Sequence, residues 1–171
     1  ESNPYSVLAL PGRTIVADAA GNSLIEIRAN KRPRVLTVFP TFAAPGCQQA
    51  NPGIGDVCDP VPTDVEMGPD GYLYVSGLGA EVMGHIYKVN ARTGAIVRTW
   101  GDLPPLTGID VAPDGTIYAA SLFTNQVFRI ARNGVTIADI PAPADVELGH
   151  GMILVSSLTG SVFSVNRNAF S

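Results

Sequence analysis

Charged side chains are scarce in this sequence. Asp, Glu, Lys and Arg make up 15% of the 171 residues, and the formal net charge is -4. Disordered chains combine low hydrophobicity with high charge, whereas 46% of these residues are hydrophobic. A protein that binds nucleic acid by neutralising phosphates needs a basic surface, which this composition does not offer. We therefore expect one globular domain and no nucleic-acid partner.

Long apolar runs are also missing. No stretch approaches the ~18 apolar residues of a membrane-spanning helix, so we expect no transmembrane segment. The 18 glycines and 14 prolines are spread along the chain. So many helix breakers are incompatible with a helical bundle and favour short strands joined by turns.

Cysteine is limited to two residues, Cys47 and Cys58. They lie in an aperiodic segment, 41–61, that is typical of a long surface loop. Loops of this length are uncommon without a function or a staple. A disulfide would stabilise the fold by roughly 2–3 kcal/mol and would indicate an oxidising compartment. Two unpaired thiols are the alternative, and a zinc site is disfavoured because no histidine lies nearby.

An internal repeat defines the architecture. The segment 63–76 matches 107–120, including the turns Pro69-Asp70-Gly71 and Pro113-Asp114-Gly115. Weaker copies begin at Ser6 and Asp145. Four units with three or four short strands each predict a β-propeller with blades at 3–40, 62–101, 106–140 and 143–171.

The outermost strand of the last unit is not evident in the sequence. The first unit opens on an inner strand, and the last unit ends after its third strand. Four blades can close alone, but an open arc would expose apolar surface that soluble monomers avoid. We expect a half or partial propeller that another chain or a second copy completes.

Three stretches resemble one family of propellers. Residues 2–22, which begin Ser-Asn-Pro-Tyr, and the segments 62–65 and 68–76 are similar to the ScyD/ScyE-like secreted β-propellers with NHL-type repeats. The resemblance covers the second half of a typical family member. It implies export to the cell envelope or the extracellular space, and it implies no shared catalytic residue. The Pro-Asp-Gly pattern also resembles NHL-type propellers that include lactonases, lyases and binding modules.

Acidic residues recur at matching positions of the inner strands. The first unit breaks both columns with Ser6 and Leu8, while the other units supply Asp64, Glu66, Asp110, Asp145 and Glu147. Inner strands line the central channel of a propeller, where clustered carboxylates suit Ca²⁺. Neighbouring carboxylates also raise one another's pKa values, which is one route to acid–base catalysis. The alternative is structural, with carboxylates that hydrogen-bond neighbouring blades.

A basic segment follows the third strand of the first unit. It contains Arg28, Lys31, Arg32 and Arg34. Such a patch suits an anionic glycan, a membrane surface or an acidic partner. A solvated hairpin tip is the alternative.

Catalytic motifs are absent from the sequence. It has neither a Gly-x-Ser-x-Gly elbow nor a Walker loop, and only two histidines, His85 and His150. We therefore expect an exported, non-enzymatic binding or assembly module, although the sequence does not settle whether the protein is an enzyme. The alternative is a metal-assisted hydrolase or lyase of the lactonase-like propeller type, which would use the inner-strand carboxylates.

Overall fold

The structure, a computed structural model, describes residues 2–50, 55–149, 151–166 and 170. Blade 1 contains β1 Pro4–Leu10, β2 Arg13–Asp18, β3 Ser23–Ile27 and β4 Arg34–Val38. Blade 2 contains β5 Pro62–Met67, β6 Tyr72–Gly77, β7 Gly84–Asn90 and β8 Ile96–Leu103. Blade 3 contains β9 Gly108–Val111, β10 Ile117–Ser121, β11 Gln126–Ala131 and β12 Gly134–Asp139. Blade 4 contains β13 Pro143–Gly149, β14 Met152–Ser157 and β15 Ser161–Val165.

Each blade is an antiparallel meander of sequential strands, and the predicted propeller arrangement of four blades is confirmed. The inner strands β1, β5, β9 and β13 all run in one direction, so the blades share two ends. We call the end with the turns between first and second and between third and fourth strands the turn end. The opposite end, with the connections between blades, is the loop end. Among the described residues, no helix has the length and apolar character needed to cross a bilayer.

Local chemistry explains the turns that define the repeat. Asp70 Oδ1 accepts the N–H of Tyr72, and Asp114 Oδ1 accepts the N–H of Thr116. Gly71 and Gly115 have φ values of +77° and +83°, which residues with a Cβ rarely adopt. The sequence therefore fixes these hairpins within a few residues.

Apolar side chains form three core clusters in the described part of the chain, one between each pair of consecutive blades. Each blade sends one row of side chains towards the preceding blade. That row is Val65, Val75 and Tyr87 in blade 2, and Val146 and Val155 in blade 4. Burying such β-branched and aromatic rows is the main favourable term in joining the blades.

No core cluster of the described residues joins blade 4 to blade 1. The corresponding row of blade 1 runs across its four strands as Val7, Val16, Ile25 and Val35. Val7 and Val35 are 63% and 57% exposed. On the outward side of blade 4, Val162 is 70% exposed. Among the described residues, several apolar side chains of blades 1 and 4 therefore remain exposed at this junction, although Val16 of the same row is buried.

The loop between blades 1 and 2 is held at the loop end by a disulfide and by packing on blade 2. The predicted disulfide between Cys47 and Cys58 is present, and both side chains are fully buried. Cys47 opens a short helix, α1 Cys47–Ala50, and Phe42 pairs with Cys58 in an isolated bridge. The Phe42 ring lies 4.3 Å from the His85 ring, so the loop packs on blade 2.

Candidate functional site

Asp64 joins three blades through its carboxylate. Its Oδ2 accepts the N–H of Ile109 in blade 3 at 3.0 Å. Its Oδ1 accepts the N–H of Val65 at 2.8 Å and the hydroxyl of Ser6 in blade 1 at 2.5 Å. An inner-strand N–H that faces the channel would otherwise lack a partner, so Asp64 supplies hydrogen bonds that the sheet ladder does not.

Asp110 performs the same role at the next junction. It accepts the N–H of Val111 in its own strand and the N–H of Leu148 in blade 4, both at 2.6 Å. The two junctions thus use the same arrangement of hydrogen bonds. A carboxylate accepts the following N–H of its own inner strand and the equivalent N–H of the next blade.

Asp145 is the corresponding residue of blade 4. It accepts the N–H of Val146 at 2.8 Å and lies against Gly108 of blade 3, where a Cβ would collide with it. Its side chain is exposed, and no N–H of another blade reaches it among the described residues. Asp145 therefore accepts the N–H of the next residue in its own strand, but it lacks the second hydrogen bond, from another blade, that Asp64 and Asp110 accept.

The pKa values of Glu66, Asp110, Asp145 and Glu147 are raised, so these carboxyls hold protons more tightly than usual. Removal from water raises the pKa of Glu66 to about 8, with a further contribution from the charges of Asp64, Asp110 and Glu147. The same two causes raise the pKa of Asp145 to about 7. Desolvation is also the largest cause of the raised pKa values of Asp110 and Glu147.

The five predicted site carboxylates thus face one channel but are not gathered around one point. Among the residues that the structure describes, no three His, Cys, Asp or Glu side chains are placed to hold a metal ion. The channel mouth is a cavity of about 240 Å³ that includes Ser6, Asp64 and Asp145 in its lining. Asp64 and Asp110 use both carboxylate oxygens on backbone N–H groups, which leaves them few lone pairs for a cation.

The predicted basic patch is partly neutralised. Arg28 Nη2 and Arg34 Nε donate to the buried Glu26 carboxylate at 2.9 and 2.5 Å. Arg13 donates to the same carboxylate at 2.8 Å and also to the carbonyl of Ala91 in blade 2 at 2.6 Å. Lys31 and Arg32 are exposed in the turn and form no ion pair with the described residues.

A second basic site lies between blades 2 and 3, near the turn end. It is a cleft of about 320 Å³ whose charged lining consists of three cations and two carboxylates, Lys88, Arg98, Arg132, Asp70 and Asp114, beside side chains that include Tyr74, Trp100 and Thr116. Nearby, Lys88 pairs with Asp70 at 2.5 Å, and the Arg98 guanidinium stacks 4.2 Å from the Trp100 ring. The sequence offers only weak signals for this cleft because its residues come from distant turns and strands.

The histidines give no support for a catalytic base. His85 packs between Phe42 and Tyr87, and desolvation lowers its pKa. His150 lies outside the described residues.

Comparison with known proteins supports the fold. No protein-family model and no curated protein matches the chain. Virginiamycin B lyase from Staphylococcus aureus is similar over 95% of this chain and 55% of its own, with 16% identity and a TM-score of 0.64. Hydrazine synthase of Kuenenia stuttgartiensis is similar over 95% and 46%, with 16% identity and a TM-score of 0.68. A gluconolactonase-like protein is similar over 95% and 59%, with 14% identity and a TM-score of 0.64.

The structural similarity establishes the propeller fold. The low sequence identities do not establish a shared activity. The chain spans about half the length of the solved structures that it matches. Membership of the ScyD/ScyE-like family remains a prediction.

Proposed function

We propose that this chain is an exported, non-enzymatic binding and assembly module, and that a second copy completes its ring of blades. The observation that carries the proposal is the uncovered junction between blades 4 and 1. Both faces of this junction belong to the same molecule. A head-to-tail pair of copies would therefore cover all four exposed faces in one closed two-fold ring.

Hydrogen bonding favours the same pairing. Asp64 and Asp110 each accept an N–H from the next blade, whereas Asp145, which aligns with Asp64, lacks that donor. The N–H equivalent to Ile109 in blade 1 belongs to Val7. In the closed ring, Asp145 of one copy accepts the N–H of Val7 in the other.

Apolar contact supplies the larger part of the expected affinity. The row formed by Val7, Val16, Ile25 and Val35 is equivalent to rows that are buried at the internal junctions. Its partner face on blade 4 carries Leu154 and Val162 beside a cavity of about 190 Å³ that Asp145, Glu147 and Ser156 also line. Removing apolar area from water contributes ~25 cal/mol per Å², from which the cost of association is subtracted.

Export is supported by the disulfide between Cys47 and Cys58. Disulfides persist in oxidising compartments and are rare in the cytosol. The resemblance to secreted propellers agrees with this assignment.

Native mass spectrometry, with light scattering to measure mass in solution, tests the proposal. We expect twice the chain mass of 17.9 kDa for the purified protein. Val7→Arg should give the monomer, because a buried unpaired cation is costly at an apolar junction. Val97→Arg is the matched control, since Val97 is 51% exposed on a different blade, and it should remain dimeric.

A monomeric wild-type protein would contradict assembly by a second copy. A Val97→Arg protein that dissociates as readily as Val7→Arg would contradict the assigned interface. Circular dichroism shows whether each variant keeps its strands.

A metal-assisted hydrolase or lyase is the second candidate. The raised pKa values of Glu66 and Asp145 favour it, because a carboxyl that titrates near neutral pH suits proton transfer. One of the similar structures is a lyase. Calcium that stays bound through buffer exchange, seen in the same mass spectra, would favour this candidate over the binding module.

A further inference from the structure

Basic and acidic residues are separated between the two ends of the blades. Every lysine and arginine that the structure describes lies in a turn at the turn end or in the adjoining half of a strand. These ten residues are Arg13, Arg28, Lys31, Arg32, Arg34, Lys88, Arg92, Arg98, Arg129 and Arg132. A chain of net charge -4 therefore presents one strongly cationic end.

The acidic residues show the opposite distribution. Outside the channel, the described acids of the turn end are Glu26, Asp70 and Asp114. Outside the channel, the described acids of the loop end are Asp18, Asp56, Asp59, Glu81, Asp102 and Asp139. Such separation creates a potential that attracts anions to one end and repels them from the other.

The cross-strand charges of blade 2 differ from those of blade 1. In blade 1, Glu26 lies directly opposite Arg34 on the neighbouring strand, which is a favourable cross-strand pair. The equivalent pair in blade 2 is Lys88 and Arg98, two like charges. Asp70 compensates Lys88, whereas no carboxylate among the described residues pairs with Arg98 or Arg132.

We propose that the turn end binds a linear acidic polysaccharide, which lies in the cleft between blades 2 and 3 and extends over the basic turns. Arg98 and Arg132 would pair with carboxylate or sulfate groups of the sugar chain, where charge-assisted hydrogen bonds are strongest. Thr116 and Asp70 line the same cleft and supply hydrogen-bonding groups for sugar hydroxyls. The proposal goes beyond ring completion and does not depend on it.

The shape of the surface favours a sugar chain over other anionic partners. A lipid surface is flat and would not use a concave cleft. Single-stranded nucleic acid needs open aromatic faces for base stacking, and Arg98 covers one face of Trp100. A polymer can also extend beyond the cleft, and Lys31 and Arg32 are exposed cations of blade 1 at the same end.

Titration calorimetry with alginate, a polyuronate, tests the proposal in the intact protein at several salt concentrations. We expect binding that weakens as salt rises, because paired cations release counterions. The double variant Arg98→Ser/Arg132→Ser should bind at least about tenfold more weakly. The double variant Lys31→Ser/Arg32→Ser should bind the polymer about two- to threefold more weakly. Its affinity for a short oligouronate that occupies only the cleft should not change.

The matched control is Gln48→Glu/Gln49→Glu. Both glutamines are exposed in α1 at the loop end, and the change alters net charge by the same amount as removing two arginines. This control should bind alginate like the wild type. If it loses as much affinity as the cleft variant, net charge rather than the cleft governs binding and the proposal fails.

Three comparison ligands separate the proposal from its alternatives. Neutral dextran should not bind, and binding equal to that of alginate would overturn the requirement for anionic groups. Tighter binding to phosphatidylglycerol vesicles or to duplex DNA would assign the cationic end to a different partner. Absence of alginate binding by a correctly assembled dimer would refute this inference and leave ring completion intact.

Discussion

Glu26 is the most deeply buried acid among the described residues, with 1% of its surface exposed. Arg28, Arg13 and Arg34 together lower its pKa to about 2, although burial opposes this shift. Because Arg13 also binds Ala91, this cluster fixes the orientation of blade 1 against blade 2. The sequence shows the arginines as a basic patch, and the structure adds the buried carboxylate that they surround.

Replacement of Glu26 by Gln should destabilise the protein by about 2 kcal/mol at pH 7. The cost stays below that of a fully buried pair because Arg28 and Arg34 are half exposed. The ionised Glu26 contributes stability above the unfolded pKa of ~4.5, and this contribution disappears as pH falls through the folded pKa. In urea unfolding, the free energies of unfolding of the wild type and Glu26→Gln should differ more at pH 7 than at pH 3.

Glu81→Gln is the control for that measurement, since Glu81 is exposed at the loop end. If Glu26→Gln loses the same free energy of unfolding at pH 3 as at pH 7, Glu26 does not stabilise the fold through its charge.

Glu66 should have the opposite pH dependence. Its folded pKa of about 8 lies above the unfolded value, so unfolding releases a proton between these values and stability falls as pH rises. Glu66→Gln keeps the neutral form, and we expect it to be more stable than the wild type by up to about 4 kcal/mol at pH 8 and equal near pH 4. Chemical unfolding across this range checks the trend.

The exposed Asp56 supplies the control for the channel, because Asp56→Asn should not change the pH dependence. If the difference between Glu66→Gln and the wild type does not grow with pH, the channel does not retain the proton on Glu66.

At the scale of elements, each hairpin is built locally, whereas the connection between blades 1 and 2 needs an additional constraint. The disulfide closes a loop with a sequence separation of 11 residues. Outside the disulfide, Asn22 fixes the end of this loop by donating to Asp59 and accepting the N–H of Val61. The disulfide and Asn22 together hold the loop against the loop end of blades 1 and 2.

Removing the disulfide should cost roughly 2–3 kcal/mol, because the unfolded chain regains the entropy of the closed loop. Cys47→Ser/Cys58→Ser and the reduced wild type should lose the same amount in chemical unfolding. The reduced wild type shows whether the hydroxyls, rather than the missing bond, cause the loss. No change on verified reduction would mean that Asn22 and Phe42 hold the loop unaided.

At the scale of the molecule, two asymmetries dominate. Among the described residues, the junction between blades 4 and 1 lacks a core, and the two ends of the blades carry opposite charge. Equivalent positions of the blades differ at two places that bear on these asymmetries. Ser6 of blade 1 stands where blades 2 and 4 have Asp64 and Asp145, and Lys88 of blade 2 stands where blade 1 has Glu26. These departures from the repeat coincide with the surfaces that we propose bind a second copy and a polysaccharide.

The sequence by itself determined the blades, because a hairpin depends on neighbouring residues. Pro-Asp-Gly turns, alternating apolar residues and the repeat period were sufficient to predict four units, and cysteine spacing was sufficient to predict the disulfide. Strand direction together with the positions of Lys and Arg would also have indicated the cationic end, although the net charge concealed it.

Only the tertiary structure decided how the carboxylates are used. Asp64 and Ile109 are 45 residues apart, and Asp110 and Leu148 are 38 apart. Whether such groups meet depends on how blades pack around the axis, which no local pattern encodes. The same holds for Arg13, Arg28 and Arg34, which converge on Glu26 because two turns of one blade lie side by side. The sequence thus determines each blade. Packing between blades decides which polar groups are hydrogen-bonded within the chain and which remain available for a partner.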